Sequence, residues 1–278
     1  MRVVGLALIL VTVSHAQWIT LRTEGVPRTK DGGLDRAAPA PRTADGKADF
    51  SGLWYPGGER QACGKIPDEC IEQGLGKSIE GGNDLLLRGL DIAQGMEGGL
   101  PYTPWAAELM REHDKRAGLD DPHARCLPSN PPRMFTLPHL TRIMQTPKIL
   151  AMLNEFNASY RQIHVDGRKL PEDPVPSWNG YSVGHWEKDT LVIDTIGFRD
   201  DLWLDMRGDP LTNSAKMTER IRRPNFGTLE IELIVDDPKA YTKPWTVHLE
   251  ARAVVDTEMI DEVCLENEKS TQHMQFAH

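Results

Sequence analysis

The sequence has little of what announces the common chemistries. It contains no P-loop, no H-E-x-x-H and no G-x-G-x-x-G, and no nucleophile elbow is expected. Nucleotide enzymes, zincins and ordinary α/β hydrolases are therefore set aside, and no cofactor or metal is expected. Positive charge is short: 32 Lys and Arg face 41 Asp and Glu, for a net charge of −9. Such a surface repels phosphate backbones and anionic membranes, which excludes nucleic acid as the expected partner. The basic run Arg220-Ile221-Arg222-Arg223 reads as the solvated side of a strand. Long apolar runs are scarce too. The one at the start, Val3 to Val13, is too short to span a bilayer. With Arg2 before it and the small residues Ser14 and Ala16 after it, residues 1–16 read as a secretory signal peptide. The expected location is periplasmic or secreted, with no integral membrane segment in the mature chain.

Cysteine is sparse, with four residues: Cys63, Cys70, Cys126 and Cys264. No C-x-x-C or His-x-x-x-His spacing accompanies them, so zinc is the weaker reading. An even number in an oxidising compartment points to two disulfides, Cys63 to Cys70 and Cys126 to Cys264. Helical periodicity is nearly as scarce. One stretch, residues 104–115, carries it, with Trp105, Leu109 and Glu112 on one side.

What the chain does have is alternation. Residues 17–49 are rich in Pro, Gly and charge and read as an extended tether or surface strap. A single domain is expected over 50–278. It begins with an aromatic strand at 50–55, continues through an irregular insertion at 56–135, and then becomes a run of period-two segments. These cover 140–145, 149–155, 159–166, 181–187, 190–196, 217–223, 228–235, 245–254 and 259–265. Short links require antiparallel pairing, and a meander of this many strands closes into a barrel to remove its edges. Leu229, Ile231, Leu233 and Val235 share one face while Glu230 and Glu232 share the other, as a barrel wall demands. The expected fold class is mainly β, an antiparallel calycin-like barrel with an irregular insertion containing one short helix.

Candidate site residues follow from the same alternation. In Tyr181-Ser182-Val183-Gly184-His185-Trp186-Glu187, an inward Trp186 takes Ser182 and Gly184 with it and leaves space beside an aromatic wall. His185 and Glu187 then face outward; the plainer reading is a tight hairpin with Trp186 in the core. His164 shares a face with Tyr160, Gln162 and Asp166, and a His beside a carboxylate gains basicity. A lone strand His is more commonly a satisfied structural residue. Glu219 lies among Met217, Ile221 and Arg223 on one face. It is either a site carboxylate or half of an ion pair with an inward Arg142 or Arg161. Asp194, between Val192 and Ile196, raises the same question. The candidate catalytic residues are thus His164, Asp194 and Glu219. The candidate ligand contacts are Trp54, Tyr181, His185, Trp186 and Arg142.

The block from Trp178 through Glu187, with Asp189-Thr190-Leu191-Val192 and Asp194-Thr195, resembles a large and essentially uncharacterised family of exported bacterial proteins. Ala48-Asp49-Phe50-Ser51-Gly52-Leu53-Trp54 and Glu262-Val263-Cys264-Leu265-Glu266-Asn267 are similar to its other blocks. The family tends to have Gly where Lys188 stands, and histidines and an acid near residues 209–213, where this chain has Asp209-Pro210-Leu211-Thr212-Asn213. Gly52-x-Trp54 ahead of a meander is also similar to the opening of lipocalins. Taken together, the expected function is an exported binding or carrier protein for a small apolar or aromatic molecule in a barrel pocket. The alternative is a cofactor-independent periplasmic hydrolase, lyase or isomerase using an inward carboxylate and a histidine. A third is an envelope interaction module with the strap as its contact. The sequence carries no signal for oligomeric state.

Overall fold

The computed structural model describes residues 21–57, 91–116 and 118–266. Eleven strands occur among them: β1 (Gly52–Pro56), β2 (Thr141–Gln145), β3 (Ile149–Asn154), β4 (Ser159–His164), β5 (Tyr181–Glu187), β6 (Thr190–Ile196), β7 (Leu202–Trp203), β8 (Pro210–Leu211), β9 (Lys216–Asn225), β10 (Thr228–Asp236) and β11 (Trp245–Val254). Nine of them close into a barrel in the order β1-β11-β10-β9-β6-β5-β4-β3-β2, with β2 paired back to β1. β7 and β8 form a separate two-stranded ribbon. The one α-helix among the described residues, α1, spans Pro104–Lys115, and Thr103 caps it by accepting from the Ala106 amide. No described helix is long and apolar enough to cross a membrane.

The mainly β barrel with a short helix in its insertion is thus the fold that alternation predicts, with three local differences. First, β4 and β5 pair parallel, through Ile163↔Ser182 and His164↔Val183, not antiparallel. The link over 165–180 is long enough to carry the chain back to the starting end of the barrel, which a tight turn cannot do. Second, residues 259–265 do not form a strand. They make a single bridge, Phe156↔Glu262, and are tied down by the Cys126–Cys264 disulfide across 138 residues of sequence. Third, α1 buries Ala106 and Met110, leaving Trp105 43 % exposed beneath the Lys239 ammonium. The expected Cys63–Cys70 pairing and the leader lie outside the described residues.

Inward residues from every wall strand meet in one core. Trp54, Ile143, Met152, Ile163, Ile193, Met217 and Ile231 are each at most 2 % exposed. Each large side chain buried this way contributes roughly 1.5–3 kcal/mol relative to exposure. The lumen is therefore packed with side chains.

Each end is covered by a different segment. At one end a short 3-10 turn, Pro132–Phe135, packs on β1 and β11, and Thr141 donates its hydroxyl to the Met134 carbonyl. At the other, the strap crosses the rim as two matching hairpins, Pro27-Arg28-Thr29-Lys30-Asp31-Gly32 and Pro41-Arg42-Thr43-Ala44-Asp45-Gly46. In each, the Thr hydroxyl donates to the Asp two residues on, and the Arg donates to the Gly carbonyl. Each Arg also grips an aspartate on the barrel with both terminal nitrogens, Arg28 on Asp256 at 2.7 and 2.5 Å and Arg42 on Asp189 at 2.6 and 3.0 Å. Asp189 closes the β5–β6 turn after Lys188, whose φ of 57° is the left-handed conformation that favours Gly. Between the hairpins, the Phe226 and Gly227 amides of the β9–β10 turn bond the Ala38 and Arg36 carbonyls.

The strap should therefore loosen when these grips fail. The Arg28 guanidinium holds Asp256 below the usual carboxylate range, and Arg42 does the same for Asp189. Their attachment is complete above the ordinary carboxylate value and is lost as pH falls through the lowered folded values. Limited proteolysis should show cleavage within 21–50 rising at pH 3 but not at pH 7. Arg28→Ala should bring that cleavage to pH 7 more strongly than Arg42→Ala, because Arg28 is the more buried clamp (side chain 17 % exposed against 53 %). Equal resistance of both variants would contradict the clamp.

Candidate functional site

The inward face holds one charged pair. Arg161 on β4 donates to both Glu219 oxygens on β9, at 3.0 and 2.5 Å, with side chains 1 % and 2 % exposed. Its remaining donors reach the Ser182 hydroxyl at 3.1 Å and the Thr195 hydroxyl at 2.9 Å. Of the two readings of Glu219, the geometry is that of an ion pair, and Arg161 rather than Arg142 is the partner. The Arg161, Glu219, Ser182 and Thr195 side chains bond one another, so the pair serves as a cross-barrel tie.

His164 and Asp194 do not join Glu219. Both face the outside of the wall. The His164 ring lies 5.3 Å from Tyr181, with the Asp166–Arg168 pair alongside and Arg168 reaching the Tyr181 hydroxyl at 3.1 Å. Burial lowers the affinity of His164 for a proton. Asp194 accepts from the Thr218 hydroxyl at 2.7 Å and lies 3.4 Å from Lys216. His185 also faces outward, toward Glu187, which Arg220 holds at 2.9 Å. The inward carboxylate and the histidines thus sit on opposite sides of one sheet. The space expected beside Trp186 is closed as well: a Cβ on Gly184 would come within 3.0–3.3 Å of Val165, Leu191 and Ile163. Trp186 packs on Phe50, just after the strap, ring centroids 5.4 Å apart.

Residues 180–184 do spell G-x-S-x-G, contrary to the expectation that no nucleophile-elbow sequence occurs. The structure shows why no elbow results. Ser182 lies inside a strand, 1 % exposed, with its hydroxyl bonded to Arg161 and Thr195. A nucleophile elbow needs a strand-to-helix turn that presents the hydroxyl to solvent.

A second buried polar cluster, which sequence pattern does not reveal, surrounds the β7–β8 ribbon. Asp205 Oδ1 accepts from the amides of Arg207, Gly208 and Asp209 at 3.0–3.1 Å, and Oδ2 accepts from the Ile92 amide at 2.7 Å. Asp209, also fully buried, accepts from the Tyr102 hydroxyl through Oδ1, while its Oδ2 has no hydrogen-bond partner. Burial raises both carboxyls, and the charge of Asp205 lifts Asp209 further. Asp91 brings a third carboxylate, all three within 4.8 Å, but Arg207 takes it at 2.9 Å. Asp205 thus holds four backbone amides and Asp91 holds Arg207, beside the unpartnered Asp209 Oδ2. The i, i+4 acids flanking Gly208 were its only trace in the sequence.

The predicted contacts that do meet lie at the strap-covered rim. A groove of about 310 Å³ is bounded by Thr23 and Val26 of the strap, Leu53 and Trp54 of β1, Arg142 of β2, Arg223 and Phe226 of the β9–β10 end, Val254 and Val255, and Glu258. Trp54 is fully buried and fixed by its indole N–H to the Phe50 carbonyl at 2.8 Å. The Arg223 guanidinium lies 4.8 Å from the Trp54 ring and 4.8 Å from the Phe226 ring. Burial lowers Arg223 to about 10. A neighbouring cleft beneath Pro39 to Pro41 shares Arg223 as part of its wall. By contrast, the groove on the outer wall over β9, β10 and β11 is lined by charges already paired across strands, such as Arg222 with Glu230.

Comparison of the chain with protein families, curated proteins and solved structures finds no match.

Proposed function

We propose that this is an exported protein that binds a small apolar or aromatic molecule at the rim of its barrel. The observation that carries this reading is the groove of about 310 Å³ between strap and barrel, where Trp54, Phe226, Val26 and Leu53 supply apolar wall. Its size suits a ligand of one or two rings, and its mixture of apolar wall with a few polar groups is that of small-molecule sites. A lumen filled by side chains turns the expected pocket from the inside of the barrel to its mouth. The apolar leader over residues 3–13 and the Cys126–Cys264 disulfide support an oxidising, extracytoplasmic setting, periplasmic or secreted. Barrel closure over β1 to β11 is compatible with the lipocalin-like opening and with the resembled exported family.

Calorimetric titration of the full mature chain with naphthalene-sized probes tests the reading. Binding that Phe226→Ala weakens, with the unfolding midpoint still cooperative, is the expected result. Absence of binding to every probe would count against it.

A further inference from the structure

The groove holds a cation that the fold does not neutralise. Arg223 is 5 % exposed, and a guanidinium removed from water normally has a carboxylate partner. Here its partners are carbonyls: Nη1 donates to Asp49 at 2.5 Å, and Nε and Nη2 donate to Phe226 at 3.2 and 2.6 Å. Asp49 is the acid whose charge acts on it, but one oxygen of that carboxylate is turned to the Ser51 amide. Three of five guanidinium donors are used, which leaves two for a ligand. Arg142, the other cation in the wall, is occupied differently. Its Nη2 donates to Glu258 at 3.1 Å, in a pair whose side chains are 34 % and 47 % exposed. Such an open pair is weakly held and readily exchanged for another anion.

Resting on the binding role proposed above, we propose that the ligand is an aromatic or apolar carboxylate. Its ring lies along Phe226, Val26 and Leu53, and its carboxylate accepts from Arg223 and displaces Glu258 from Arg142. The strap forms part of this arrangement, because Asp49 fixes Arg223 through its carbonyl and Val26 closes the apolar wall. Glu258 then acts as an internal competitor that occupies Arg142 until an anion arrives.

The test titrates three probes of one shape into the full mature chain: naphthalene-2-carboxylate, naphthalene-2-carboxamide and naphthalen-2-ylmethylammonium. The carboxylate should bind about tenfold or more tightly than the carboxamide, as expected for charge-assisted bonds to a poorly hydrated guanidinium. That preference should vanish in Arg223→Gln while carboxamide binding persists, and should survive in part in Arg223→Lys. Glu258→Gln should tighten the carboxylate severalfold and leave the carboxamide unchanged. If Arg223→Gln fails to fold, salt dependence decides on the unaltered protein: carboxylate affinity should fall with ionic strength and carboxamide affinity should not. Equal binding of carboxylate and carboxamide, or a preference for the ammonium probe, overturns the charge assignment and leaves the binding role standing. No binding of any probe overturns both.

Discussion

Replacing Glu219 with methionine is expected to destabilise the protein by about 3–5 kcal/mol, because the Arg161 guanidinium would stay buried without its counter-charge. At 1 % and 2 % exposure the two side chains have no route to solvent that keeps the barrel closed. Arg161→Met alone should cost a similar amount by stranding the carboxylate. The double replacement should recover most of the loss, since two apolar side chains of similar volume fit a lumen already lined by Met217, Ile163 and Ile193. Urea unfolding of the two single variants and the double variant measures this. A double variant as unstable as the sum of the singles would show no coupling between them and contradict the tie between β4 and β9. If Glu219 instead served chemistry, its loss would leave stability nearly unchanged.

The second large effect separates two adjacent acids. Asp205→Asn should cost about 3 kcal/mol or more, because an amide nitrogen would replace an oxygen that accepts one or more backbone N–H bonds, setting donor against donor. Asp209→Asn should cost little at neutral pH. Its uncharged amide removes the repulsion from Asp205, and its carbonyl can still accept from Tyr102. The pH dependence has a definite sign. Asp209 is raised well above its ordinary 3.8, so the folded chain holds a proton that the unfolded chain has released. This contribution is full below the ordinary value and is lost as pH rises toward the raised folded value. Asp209→Asn should therefore flatten the decline in stability between about pH 4 and the alkaline side. A variant whose unfolding midpoint follows the parent at every pH would contradict the raised proton affinity of Asp209.

Alternation carried most of the architecture. In β10, residues 229–235 alternate buried and half-exposed as their apolar and acidic side chains require, and the same logic put Met217, Glu219 and Ile221 inside. It also oriented Ser182, Gly184 and Trp186 inward and His185 and Glu187 outward. Helix α1 was readable from its periodicity, although which face it buries was not. Trp105 is the largest apolar residue there, yet it stays at the surface while Ala106 and Met110 are buried against the core. The parallel β4–β5 pair depends on a link over 165–180 that has no periodicity, so strand order could not be read from it.

The parts of the site that escaped detection share one cause: they are made by non-strand backbone. Arg223 and Phe226 gain their roles from carbonyls in the strap and the β9–β10 turn, and Asp205 from successive loop amides. The repeated P-R-T-x-D-G spelling of the strap was a signal available in the sequence. It marks two clamps that seat this segment and, with it, one wall of the groove.

The most direct test of where a ligand sits is amide chemical-shift mapping of the isotope-labelled chain as naphthalene-2-carboxylate is added. Perturbations should gather at Gly52, Leu53, Phe226, Val254 and Glu258, while Arg161, Ser182 and Thr195 stay unmoved. Shifts concentrated on those three lumen residues, with a silent rim, would contradict the account.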